Sequence, residues 1–421
     1  MKSRREFLQK LSAGALAPAL VGFNSKSTTK NQINQLLTGD DFWDNVREQF
    51  PLTKDRVYMN NGTFGPSPTP VLDALKNSFD DTNTRGEYGH INPLRGELAE
   101  FVGIKESEIS LTHNTTEGIN IMVWGLPLKA GDEVIITYHE HAGNAIPWLN
   151  RAKLDGVVLI PFEPALTQSE NLDLIKKLVT PRTKVIAVPH VTCTTGLVMP
   201  IKEISEFAKS KGIYTAIDGA HGAGTFDLNL KDLGADFYAS SYHKWVLGPN
   251  GSGFLYVKEE LLDQLQAYQV GAYSELSYDL HQKPLQLPGY VSTAHRYDYG
   301  SQSLPMIKGV LAATAFHNEI GREKIELRIR ELNQYLFEGL NEMKNMLQII
   351  SPLEEESRIC MVAFKPKNKD YQEAYREISQ QGFRIRVVPE GGINAIRIST
   401  HIYNSKKEID SILTAIQKVL G

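Results

Sequence analysis

The chain has 421 residues, 41% of them hydrophobic and 22% charged, which suits an ordinary globular enzyme built as a large domain plus a smaller one. Its 45 Lys+Arg against 49 Asp+Glu leave a net charge of -4, so no field favours nucleic acid or an anionic membrane surface, and past the N-terminus no uncharged apolar run is long enough to span a bilayer. The two cysteines, Cys193 and Cys360, form no C-x-x-C pattern, which argues against a metal site or a disulfide framework and leaves only a single bridge between them open.

Arg4 and Arg5 precede an apolar run over residues 11–23. A charged stretch before a short apolar one reads as a signal peptide, and the paired arginines make it resemble a twin-arginine (Tat) signal. A basic amphipathic first helix is the other reading. Residues 24–32 are polar and read as a linker, so 1–32 form an address and 33–56 a segment joining the smaller domain. The implied partner is the Tat export machinery, and the destination is the periplasm or outer surface of a bacterium.

From Val57 onward, short apolar runs alternate with helical patterns. Strands are predicted over 109–112, 133–138, 157–161, 184–189, 214–218, 237–241 and 253–257, several rich in Val and Ile as strands buried on both faces are. Helices are predicted between them over 116–124, 144–153, 172–178 and 201–211. The fold class is therefore α/β, a mostly parallel seven-stranded sheet covered on both sides, with ligands beyond the carboxyl ends of its strands. This large domain spans 57–303. Over 304–421 long helices (306–320, 325–346), strands (358–364, 383–388, 395–399) and a last helix (406–420) read as a smaller α+β domain.

The chemistry concentrates at the predicted strand ends. In Ser241-Tyr-His243-Lys244 a strand gives way to a lysine and then a glycine-rich turn. That lysine can reach a carbonyl carbon above the sheet edge and form an imine, with Ser241 and His243 donating to a phosphate; a surface lysine in a glycine hairpin is the plainer use. Asp218 ends a buried apolar strand, where a carboxylate needs a cation; the protonated pyridine nitrogen of pyridoxal 5'-phosphate (PLP) is such a cation, and a turn cap is the plainer use. Thr115 and Thr116 open a helix whose N-terminus either is simply capped or attracts a phosphate. A histidine of Tyr138-His-Glu-His141 can stack on a pyridine ring, or simply pack.

These segments, in this order, resemble the class V aminotransferase family of fold-type I PLP enzymes, which includes cysteine desulfurases, kynureninases and isopenicillin N epimerase-like proteins. The resemblance runs from about Val57 to the end and is most specific at Asp218-Gly-Ala-His221 and Ser241-x-His243-Lys244. It implies a Schiff base on Lys244, Asp218 at the pyridine nitrogen and His141 stacked on the ring, with His221 standing where the family often has glutamine. Asp298-Tyr-Gly300-Ser301 looks like the segment that reaches the phosphate of a neighbouring subunit, which implies a homodimer with shared active sites. Ala395-Ile-Arg397 looks like the segment whose arginine binds the substrate α-carboxylate, a task a guanidinium fork suits; an ordinary surface arginine at a strand edge is the plainer reading.

Two departures bear on the reaction. Desulfurases carry a nucleophilic cysteine on a loop before that arginine strand, and here residues 384–395 hold none. Cys193 stands where desulfurases usually place asparagine beside the PLP 3'-oxygen, and Thr192-Cys193-Thr194-Thr195 looks closer to the isopenicillin N epimerase-like branch. Cys193 reads as a small residue near the ring and Cys360 as core. The resemblance implies that an amino acid displaces Lys244, whose freed amine removes the Cα proton as general base. Epimerisation or transamination is the first expectation, a lyase or desulfurase-like reaction the alternative, and a non-catalytic exported PLP-binding protein the third.

Overall fold

A computed structural model describes residues 40–421. The export signal and linker expected over 1–32 lie outside the described residues.

Chain order gives thirteen strands among the described residues. β1 (Val57–Tyr58) is short. The next seven, β2 (Ile109–Thr112), β3 (Glu133–Thr137), β4 (Val158–Phe162), β5 (Thr183–Pro189), β6 (Tyr214–Asp218), β7 (Phe237–Ser241) and β8 (Gly253–Val257), form one sheet in the order β2-β8-β7-β6-β5-β3-β4. All neighbours run parallel except around β8, which is antiparallel to both β7 and β2. Except at the edge strand β4, the sheet is buried on both faces because alternate residues supply two cores. Ile135, Ile186, Val188, Ile217 and Phe254 face one, and Val134, Ile136, Val185, Phe237 and Leu255 face the other with Ile119, Met122 and Trp148 from the covering helices.

The remaining strands are β9 (Leu347–Ile349), β10 (Met361–Pro366), β11 (Phe383–Arg384), β12 (Arg386–Val388) and β13 (Ala395–Ser399). An antiparallel sheet of order β12-β13-β10-β9 packs beneath the helices Arg322–Glu342, Tyr371–Gln380 and Lys406–Leu420. This smaller C-terminal unit completes the expected α/β architecture. Two predicted strands change form. The run 383–388 divides at Ile385: β11 pairs in parallel with β1, while β12 pairs antiparallel with β13. The run 358–364 starts only at Met361, because Cys360 sits at φ 62° and Ile359 donates its N–H to Gly196 O at 3.2 Å, tying this stretch to the large sheet's loops. The helix predicted over 325–346 is shifted, running Arg322–Glu342.

Candidate active site

The register of the large sheet assembles the site. Thr112 lies opposite Gly253, and Gly253 opposite Ser241, so the turn after β2 meets the turn after β7. A side chain at Gly253 would put its Cβ 2.6 Å from Ser240 O and 2.9 Å from Asn114 Cα, so only glycine allows this approach. Ser241 Oγ then accepts the Thr115 N–H at 3.0 Å and shares a hydrogen bond with Thr115 Oγ1 at 2.7 Å. Asn114 caps the helix Thr115–Gly125 by accepting Glu117 N–H at 3.0 Å. The cap is thus Asn114, and Thr115 and Thr116 are left to face the cleft with the positive end of the helix.

His141 caps the next helix, Ala142–Asp155, its Nδ1 accepting Gly143 N–H at 3.0 Å. Desolvation by the cleft walls, then the nearby Lys244, lowers its pKa, which favours a neutral ring with an open face. The loop is anchored by Glu140, which sequence reasoning passed over. Its buried carboxyl accepts from Thr137 Oγ1 at 2.7 Å and from Asn144 Nδ2 at 2.8 Å, and burial pushes its pKa up to about 8.

Asp218 ends β6, buried, with one oxygen accepting Ala220 N–H at 2.9 Å. Lys244 is half-buried; desolvation pulls its ammonium below the usual lysine range while the Asp218 charge pulls the other way. Its backbone is gripped by residues 60–65, a second stretch the sequence reading missed. Gly65 donates its N–H to His243 O at 2.8 Å, and a Cβ at Gly65 would lie 1.8 Å from Lys244 O.

Seven of the eleven expected residues line one cleft: Thr115, Thr116, His141, Asp218, Ser241, His243 and Lys244. His221 is buried and accepts at Nδ1 from the Trp245 indole at 2.9 Å. Arg397 is no surface arginine. It is 1% exposed, donates to Cys193 O at 2.5 Å and Thr63 Oγ1 at 3.2 Å, and makes no ion pair among the described residues. Burial lowers its pKa to about 10. Gly300 and Ser301 do not reach the cleft within one chain; they line a separate cavity of about 400 Å³ with Tyr88, Arg95 and His295. Both cysteines are buried and unbridged, and burial pushes the Cys193 thiol up to about 12.

The cleft residues fit pyridoxal phosphate. Asp218 offers a carboxylate for the pyridine nitrogen, Lys244 an amine for the carbonyl and His141 a ring face. The phosphate end has the Thr115 helix terminus and His243, whose Nδ1 is buried with no partner among the described residues.

The family Aminotransferase class-V matches residues 65–412. A protein named probable cysteine desulfurase from Synechocystis is 28% identical over 407 residues, covering 89% of this chain and 95% of its own. An isopenicillin N epimerase from Amycolatopsis lactamdurans is 28% identical over 399 residues, covering 90% and 98%. A solved lysine-to-alanine variant of C-DES, with glycine covalently linked to its PLP cofactor, matches with a TM-score of 0.81 at 24% identity, over 88% of this chain and 98% of that one. At that identity the likeness speaks for the fold.

Proposed function

The chain belongs to the class V aminotransferase family and is a PLP-dependent enzyme of fold type I, and on that premise we propose that it removes the Cα proton of an amino acid or amino-acid derivative, with epimerisation or transamination as the outcome. Bound PLP supplies the electron sink for the charge left at Cα. Lys244 holds the cofactor and, when freed, takes the proton; its lowered pKa leaves more neutral amine for this at physiological pH. Asp218 would keep a proton at the pyridine nitrogen and His141 would offer its ring face to the cofactor, while Ser241, His243, Thr115 and Thr116 would hold the phosphate and the buried His221 would support the cofactor. Arg397, buried without an ion-pair partner among the described residues and with its Nε unpartnered, would grip the substrate carboxylate. Gly300 and Ser301 complete the site of a second copy.

The observation that carries this reading against persulfide chemistry is the state of the thiols. A desulfurase needs a mobile thiolate beside the substrate sulfur, and both cysteines here are buried with raised pKa. The second reading, a cysteine desulfurase-like lyase, draws on relatives bearing that name. PLP-loaded protein incubated with L- and D-amino acids in deuterium oxide separates them. Cα–H exchange with inverted chirality or an oxo-acid product supports the first reading, and it persists in a Cys193→Ser, Cys360→Ser double variant. Rapid alanine and sulfide from cysteine, lost in either single variant, moves the second to first place.

A further inference from the structure

Trp245 directly follows Lys244 and is fully buried. Its ring stacks on His401 with centroids 5.5 Å apart and planes 20° from parallel, and its carbonyl accepts from His401 Nε2 at 2.9 Å. Gly224, at φ 82°, lies flush against it: a Cβ there would come within 2.4 Å of the Trp245 carbonyl carbon. The indole is fully enclosed, and its one polar atom points at His221 Nδ1, 2.9 Å away.

An indole N–H only donates, so the nitrogen it meets carries no proton. The usual ambiguity of a histidine in a structure is therefore resolved by its partner. A second proton on the imidazole is opposed by burial and by the cationic groups that bear on it, Lys244, Arg397 and Arg386. We propose that Trp245 is a positioning residue that locks His221 as the neutral Nε2–H tautomer, so that the protein beside Lys244 presents a fixed hydrogen-bond donor and never an acceptor or a further cation. Such a donor suits an oxygen carrying negative charge, and the ring oxygen of PLP is one. A glutamine at this position would carry donor and acceptor together. A histidine presents its lone pair when the tautomer is wrong, so it needs a lock.

The consequence for PLP rests on the function proposed above; the tautomer does not. The test is long-range proton–nitrogen NMR on full-length, PLP-loaded protein carrying ¹⁵N-histidine, with His221 assigned by its loss in His221→Gln. In the unmodified protein His221 is a single Nε2–H tautomer from about pH 6 to 9. In Trp245→Phe, which keeps the ring over His401, the tautomers mix, and the pH at which the bound cofactor's visible absorbance titrates rises by about one unit. In a His221→Gln background the same change produces no such rise. An Nδ1–H or doubly protonated His221 in the unmodified protein overturns the proposal, and that measurement decides alone if Trp245→Phe does not fold. A single unchanged tautomer in Trp245→Phe, or an equal titration shift in both backgrounds, also overturns it and leaves Trp245 a packing residue. Amino-acid turnover does not enter the tautomer readout, so failure of the functional reading leaves the lock standing.

Discussion

Asp218 closes a five-residue strand whose last four residues are buried and which is otherwise apolar but for Thr215, a place where a carboxylate is costly without a cation to meet. Replacing it with alanine leaves the phosphate cradle intact, so Asp218→Ala should retain some PLP while kcat falls by about 100-fold or more, since the ring nitrogen no longer keeps its proton. Near-normal turnover in that variant would sink the assignment. Glu140 makes a different kind of prediction. Its folded pKa of about 8 stands above the ordinary 4.5, so between these values the folded chain holds a proton that the unfolded chain has lost. The stability this group contributes is present below about pH 4.5 and is lost as the pH rises towards 8. Glu140→Gln removes that slope: in thermal melts the parent should lose Tm relative to the variant from about pH 5 to 8, and parallel curves would refute it. The two residues also differ in legibility. Asp218 and Lys244 were readable because each stands at a strand end amid its own motif. Glu140 was not, because its raised pKa comes from burial, and Trp245 was not, because its partner His221 is 24 residues away.

The elements that place the site were read from sequence where burial on both faces gave continuous apolar runs, and 109–112, 214–218, 237–241 and 253–257 coincide with β2, β6, β7 and β8. They were misread where one apolar run serves two sheets, as at 383–388, or where a residue with positive φ interrupts it, as at Cys360. Hydrophobic pattern records burial, and it carries no information on which neighbour does the burying. The same gap hid residues 60–65, whose role at Lys244 and Arg397 depends on contacts across the whole chain. Packing between elements gives a test at this scale. The helix that His141 caps approaches the Thr115 helix so closely that a Cβ on Gly143 would lie 2.4 Å from Thr116 Oγ1. Gly143→Ala should therefore displace Thr116 from the cleft and weaken PLP binding about tenfold, measured by equilibrium dialysis, with folding retained. Unchanged affinity would remove Thr116 from the phosphate site.

Among the described residues, one stretch is notably dense in exposed apolar side chains: Tyr268, Val270, Tyr273, Leu276, Tyr278, Leu280, Leu285 and Leu287. Tyr273 also lines the cavity that holds Gly300 and Ser301. A patch of this kind implies cover, and a second copy would both cover it and bring Gly300 and Ser301 to the phosphate it is proposed to share. Sedimentation should give a dimer, and Tyr278→Asp with Leu280→Asp should give monomers that bind PLP poorly; a monomer that holds PLP tightly contradicts the shared site. Destination is the last property at this scale. Arg4 and Arg5 stand before an apolar run in a chain that takes up a cytoplasmic cofactor. Export after folding reconciles these facts, because the Tat route carries a protein with its cofactor already in place, whereas threading an unfolded chain would leave PLP behind. Among the described residues no helix is long and apolar enough to cross a membrane. Changing Arg4 and Arg5 to lysine should hold the protein in the cytoplasm with its PLP absorbance intact, read by fractionation of cells expressing each form. Export of the lysine form at the parent's level would refute the twin-arginine reading.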